Sequence, residues 1–412
     1  MRLRVATTLA VTIAASFSLF AQTKDDFEQD FELALRRISA TYAYFDRKAT
    51  NWSEMSTLYS ANVGNVTNRD EFVTLLEHVI DELYDPHAQL TTNLQNSPRL
   101  VPSGTDLWAE WRSGQATITQ VRAESDAERA GLKANTVVLA LDGIPIADAV
   151  QARMGRSYPQ TTAAAQDWAL RAVLAGRHNT RRVLQTQQAG ERRTVELPAA
   201  DQFVNSTAPV TSSQIRPGVG YVRFNDSLGD NATISAFDRA LAELRDTQGL
   251  IVDLRNTPGG GNTGVARAIL GRFVTADQPY QKHELPSEER AMGVRRSWLE
   301  LVSPRGPFTY SRPVVVLVNR WTGSMGEGLA IAFDATRSGT VVGTAMAGLL
   351  GATSRIMLPR TGIGINVPTE RLYHVNGTPR EDFVPNVRVD VTRAEAGEDP
   401  FIVAALSVLP GR

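Results

Sequence analysis

Three observations predict a mixed α/β fold with a crossover-connected sheet at its centre. First, from residue 219 onward apolar β-branched runs alternate with helical stretches: GYVRFNDSL, ATISAFDRALAELRDTQG, LIVDLRN, VARAILGRF, then RPVVVLVN and a further helix. This order is that of parallel strands joined by helical crossovers. Second, the stretch before residue 97 carries apolar residues every three to four positions, the helical period. Third, residues between 100 and 199 read as a small, strand-rich unit. A chain of 412 residues also exceeds one comfortable core, so two or three domains are expected.

The elements follow in order. DFEQDFELALRRISATYAYF and NRDEFVTLLEHVIDELY are amphipathic helices, the second with Asn68 as its N-cap. That helix ends at Asp85-Pro86, because the residue before proline avoids helix, and His87 falls on the loop beyond. In the middle unit, QATITQV is a strand, Asp126 to Ala130 a short helix, Asp142-Gly143 a tight turn and QDWALRAVLAG a helix. RRVLQTQQAGERRTVEL is a strand pair turned at Ala189-Gly190. From Thr340 short strands return, and DPFIVAALSVL closes the chain as a helix.

Composition removes several classes of function. The net charge of −1 creates no field for nucleic acid or anionic lipid. The chain has no cysteine, which excludes disulfides, thiolate nucleophiles and thiolate metal sites. No HExxH, no histidine pair at i and i+4 and no carboxylate cluster at ligand spacing occurs, so no metal or other cofactor is expected. The glycine run Gly259-Gly260-Gly261-Asn262 lacks the Lys-Ser/Thr of a phosphate loop. The first residues carry Arg2 and Arg4 before an apolar stretch from Leu9 to Phe20, with Ala21 ahead of a polar run. This is the pattern of a cleaved signal peptide and predicts an exported, periplasmic or secreted protein without an integral span.

Two turns carry the chemistry. GLIVDLRNTPGGGN leaves the amides of its glycines unshielded, and RPVVVLVNRWTGSMGEG places Ser324 where a buried strand hands over to a helix. An aimed hydroxyl at a helix N-terminus beside free backbone donors suits acyl transfer, with the amides of Met325, Gly259 and Gly260 as oxyanion donors. Read locally, Ser324 is better taken as a helix cap, and it is the glycine turn upstream that moves the balance towards catalysis. A serine nucleophile requires a base. Lysine occurs only at positions 24, 48, 133 and 282, and histidine only at 78, 87, 178, 283 and 374. His78 reads as a surface residue, and His178 and His283 as polar-loop residues. His374 lies on a strand, and His87 is the best-placed base. An imidazole base needs an orienting acid; Glu327, three residues after Ser324, and Glu370, in VPTERLY, are both candidates. Their plain alternatives are a first-turn glutamate favoured by the helix dipole and a surface charge.

Together these residues resemble the carboxyl-terminal processing (tail-specific) serine peptidases and their tricorn-core relatives. The resemblance rests on Asp85-Pro86-His87, AERAGLKANTVVLALDG, GYVRFND, DLRNTPGG, Ser324-Met325-Gly326-Glu327, VVGTAMAG and the tail FVPNVRVDV. It implies a signal peptide over 1–21, an N-terminal helical domain over 22–99, a PDZ-like domain over 100–200 and a crotonase-like peptidase core over 201–412. It also implies a substrate that is a peptide or unfolded protein, held through its carboxyl terminus. Leu349 stands where the processing peptidases have their lysine base. The resemblance therefore points to the tricorn-like branch, with Ser324 as nucleophile, His87 as base and Glu370, or Glu327, as the orienting acid. Pro86 replaces that branch's serine before the histidine, and Ala134-Asn135-Thr136 replaces the usual turn of the PDZ-like unit. These departures motivate a rival reading as a catalytically inactive binding protein on the same scaffold. A crotonase-like enzyme acting on acyl thioesters is a second rival, opposed by the signal and the PDZ-like insert.

Overall fold

A computed structural model describes residues 22–157, 162–199, 208–393 and 397–409; the expected signal peptide lies outside them. The central sheet has six strands in the order Val387–Arg388, Thr340–Gly343, Val314–Val318, Gly249–Asp253, Val219–Phe224 and Val210–Arg216. The first five are mutually parallel, and the last is an antiparallel edge. Every residue of Gly249–Asp253 and of Val314–Val318 is buried, as expected for parallel strands covered on both faces. Helices Ala232–Glu243, Thr263–Leu270 and Met325–Ala335 cover one face around Phe237, Leu241, Ile269 and Phe333. The closing helix, Pro400–Val408, covers the other through Phe401 and Ala405, against Ile251, Val315 and Leu317.

A second sheet is assembled from distant segments. Gln89–Leu90, Gly364–Tyr373, Gln278–Glu284 and Ser297–Val302 lie side by side, and Ala352–Met357 pairs with Gly364–Tyr373. Three helices, Lys24–Thr41, Trp52–Val63 and Arg69–Asp81, precede it in the chain. Their buried residues, among them Phe27, Phe31, Phe72 and Leu76, share one core with Ile356, Leu358, Ile363, Ile365 and Val367. Asn68 caps Arg69–Asp81 by accepting from the Glu71 amide at 3.0 Å.

The middle unit is wholly antiparallel: Leu107–Arg112, Gln115–Val121, Thr136–Leu141, Arg182–Gln188 and Glu191–Leu197, with Ile144–Pro145 on Thr136–Leu141. Its core, built on Ile118, Ala169, Leu170 and Leu184, draws one residue, Tyr84, from the preceding region. Ala189 at φ 49 and Gly190 at φ 89 form the expected hairpin turn.

Candidate active site

The two glycine-flanked turns meet at the carboxyl ends of adjacent parallel strands, where open sheets of this kind place their sites. Thr257 and Thr322 form a parallel bridge. The Gly323 amide donates to the Thr257 carbonyl at 3.2 Å, and the Thr322 hydroxyl donates to the Leu254 carbonyl at 3.0 Å. Ser324 is half-buried and is held at φ 49, ψ −111, immediately before helix Met325–Ala335. That φ is unusual for a residue with a side chain. Gly260, at φ 69, backs onto it: a Cβ there would lie 2.4 Å from Ser324 Cβ and 2.7 Å from its hydroxyl oxygen. No residue but glycine fits this contact.

Of the three expected oxyanion donors, Gly259 and Met325 have amides with no main-chain acceptor among the described residues. The Gly260 amide is engaged at long range by the Thr257 carbonyl, 3.3 Å away.

Glu327 is fully buried and is the hub of the site. Its carboxylate accepts from the amides of Ser324 at 2.8 Å, Gly348 at 2.9 Å and Leu349 at 3.2 Å. The Arg380 guanidinium lies 3.9 Å away and donates to the carbonyls of Leu349 and Gly351. Burial pushes the Glu327 carboxyl up to about 7, against the opposing pull of Arg380 and the three amides. The same main-chain segment, residues 348–351, reaches His87: its Nδ1 lies 2.7 Å from the Leu350 carbonyl oxygen. That contact makes Nδ1 the protonated nitrogen and leaves Nε2 as the acceptor. Burial holds the imidazole below the ordinary histidine range, hence neutral at neutral pH. Ser324, Glu327 and His87 are thus linked through one stretch of backbone. A Cβ on Gly323 would lie 3.3 Å from Leu349 Cδ1, so an apolar side chain abuts the Ser324 turn.

Two expectations need correction. Glu370 does not orient His87; its carboxylate is 2.8 Å from His283 Nδ1. Nor does Glu327, whose carboxylate is taken up by the amides of Ser324, Gly348 and Leu349. His283 is not in a polar loop. It lies on strand Gln278–Glu284, buried, stacked on Trp298 at 4.9 Å, with Nε2 3.1 Å from Glu300. Burial opposes its charge, but the carboxylates of Glu300 and Glu370 outweigh it and raise its pKa. Strand pairing across the second sheet places Glu370 there, and no local pattern announces that pairing.

The sequence reading also passed over Leu350, whose role is purely main-chain, and Glu381. The Glu381 carboxylate accepts from Arg47 at 2.7 Å through one oxygen; its other oxygen is buried without a hydrogen-bond partner. Burial raises its pKa. Its sole sequence signal is its place in the run REDFVPN, one residue after Arg380.

Among the described residues no group of histidine and carboxylate side chains could hold a metal ion, and no helix is long and apolar enough to cross a membrane.

The sequence pattern of Peptidase family S41 matches residues 218–389, and that of the Tricorn protease C1 domain matches residues 23–81. A carboxyl-terminal-processing protease of Synechocystis sp. is 27% identical over 363 residues, which cover 84% of this chain and 78% of that protein. Mature CPAF superposes with a TM-score of 0.60 at 18% identity, covering 89% of this chain and 93% of that one. The photosystem II D1 C-terminal processing protease gives 0.57 at 20% identity, over 93% and 97%. At such identities the two structures speak for the fold alone.

Proposed function

We propose, from the premise that the chain belongs to peptidase family S41, that it is a serine endopeptidase with Ser324 as nucleophile and His87 as base. The observation that carries this reading is the single main-chain segment that holds Glu327, and through it Ser324, on one side and His87 on the other. His87, neutral and protonated on Nδ1, takes the Ser324 hydroxyl proton on Nε2 as the oxygen attacks the scissile carbonyl. The developing oxyanion faces the amides of Met325 and Gly259, with Gly260 contributing once its long turn bond yields. One such donor is worth on the order of 10²–10³ in turnover. The imidazolium then protonates the leaving amine, and water hydrolyses the acyl-enzyme with His87 again as base. Glu327 acts as the clamp of the nucleophile turn. The orienting partner of His87 is the Leu350 carbonyl, a role first sought in Glu370.

The substrate class is protein tails or unfolded peptides. The name of the Synechocystis relative supports this, as does the antiparallel middle unit, read as a PDZ-like module that captures a carboxyl terminus by strand addition. The core is read as crotonase-like. The basic, then apolar, start of the sequence supports export.

Labelling with a fluorophosphonate probe tests the mechanism. Ser324 takes the label in the wild type, and Ser324→Ala loses both labelling and peptide hydrolysis. Hydrolysis that survives Ser324→Ala overturns the nucleophile, and undiminished labelling in His87→Ala overturns the base.

A further inference from the structure

The end of helix Arg69–Asp81 and the loop that runs from it to His87 are gripped by the middle unit at three points. The Arg153 guanidinium forms a two-pronged ion pair with Asp81. The Gly155 amide donates to the Tyr84 hydroxyl at 2.8 Å, and the Tyr84 ring meets Trp168 edge-on with centroids 5.2 Å apart. Between them sits Glu82, with no exposed surface. Its carboxylate accepts from the Arg156 amide at 2.6 Å and the Ser157 hydroxyl at 2.6 Å. It also accepts from the Tyr59 hydroxyl at 2.7 Å, on helix Trp52–Val63. The fit at Gly155 admits no side chain, since a Cβ would fall 2.2 Å from Glu82 Oε2.

The other side of the loop is fixed by the N-terminal region. The Thr50 hydroxyl donates to the Glu82 carbonyl, Lys48 Nζ donates to the Tyr84 carbonyl at 3.0 Å, and Tyr42 donates to Asp85 at 2.8 Å. Asp85 in turn accepts from the His87 amide at 2.9 Å. Tyr84 is held at φ 46, a conformation that persists only when surroundings over-determine it.

We propose that Glu82 is a positioning residue for the base, and that segment 153–157 of the middle unit sets the place of His87 through it. The polar partners of the Glu82 side chain come from both the helical region and the middle unit. A group held by donors on two bodies fixes their relation, and His87 follows five residues on. Displacement of a catalytic group by about 1 Å costs on the order of 10² in rate, so a change at 153–157 reaches the chemistry with no contact to Ser324.

This rests on His87 being the base, and the test separates the two. Glu82→Gln, Ser157→Ala and Gly155→Ala are made in the full chain, each alone and with His87→Ala. Two readouts are taken: kcat and KM on a short peptide, and the rate at which the fluorophosphonate labels Ser324. The proposal expects kcat and labelling to fall about tenfold or more with KM unchanged. It also expects no further fall when the change is added to His87→Ala, because the lesion is the same. Ser157→Ala removes one hydroxyl and keeps the test valid should Gly155→Ala not fold. Wild-type kcat and labelling in both Glu82→Gln and Ser157→Ala, with His87→Ala inactive, overturns the positioning role alone. Effects that multiply with His87→Ala overturn it too. An active His87→Ala overturns the base itself.

Discussion

At Ser324 the backbone stands at φ 49, a conformation that costs a residue with a side chain on the order of 1–3 kcal/mol. Replacing Ser324 with alanine keeps that cost and removes the nucleophile; hydrolysis is expected to fall by at least about 10³-fold with little change in melting temperature. Ser324→Gly removes both, so it should be as inactive as the alanine variant yet melt higher, as thermal denaturation would show. Glu327 gives a second residue-scale prediction. Its carboxyl rises from 4.5 to about 7 on burial, so folding favours the protonated form. The stability it contributes is complete below about pH 4.5 and is lost as pH rises through 7, a change on the order of 3 kcal/mol. Glu327→Gln should flatten the unfolding free energy over that interval, measured by denaturant titration at several pH values. Activity runs the other way, because the ionised carboxylate is what accepts three amides. In the wild type kcat/KM should therefore fall as pH drops below about 7. A wild-type pH–rate profile flat from 5.5 to 8, an interval spanning roughly that pKa, would count against the clamp.

Among the elements, the two strand–turn–helix units act as a pair. Gly260→Ala forces a methyl into Ser324 at 2.4 Å, at a φ that alanine resists. The expected result is a loss on the order of 10² or more in kcat, together with roughly 1–3 kcal/mol of stability. Peptide kinetics and thermal melts on one preparation would show both. These units were legible because their signals are local. All-buried strands such as Gly249–Asp253 and Val314–Val318 read as continuous β-branched runs, and Asn68 caps its helix where the sequence places it. The second sheet was not legible. Its strands come from residues 89–90, 278–302 and 352–373, and sequence periodicity says nothing about which distant strands pair. His283 looked like a loop residue for this reason, and Glu370 was assigned to the wrong imidazole. The meeting of the Ser324 turn with the glycine turn was legible from residue type and turn chemistry. Leu350 was not, since a main-chain carbonyl has no residue code.

Over the whole molecule, the three regions differ in how far they stand alone. The main core of the middle unit takes only Tyr84 from outside, and a smaller cluster sets Val101, Trp108 and Ala175 against Trp321, so a fragment of residues 100–199 should fold and melt cooperatively. The peptidase core should not. Without the N-terminal helices, Ile356, Leu358, Ile363, Ile365 and Val367 lose Phe27, Phe31, Phe72 and their neighbours, and burial of each such side chain is worth about 1.5–3 kcal/mol. A fragment of residues 208–412 should show no cooperative transition by circular dichroism; a sharp one would show that the helices are an appendage.

The contact between His87 and the Leu350 carbonyl has a bearing on how such a site changes over generations. A carboxylate that steadies an imidazole can be erased by a single codon change and neutralised by acid. A peptide carbonyl is supplied by nearly any amino acid at that position and does not titrate. Drift at position 350 should therefore leave the histidine's tautomer intact so long as the local chain path is kept. Selection would then act on the bends that set that path rather than on the residue that makes the bond.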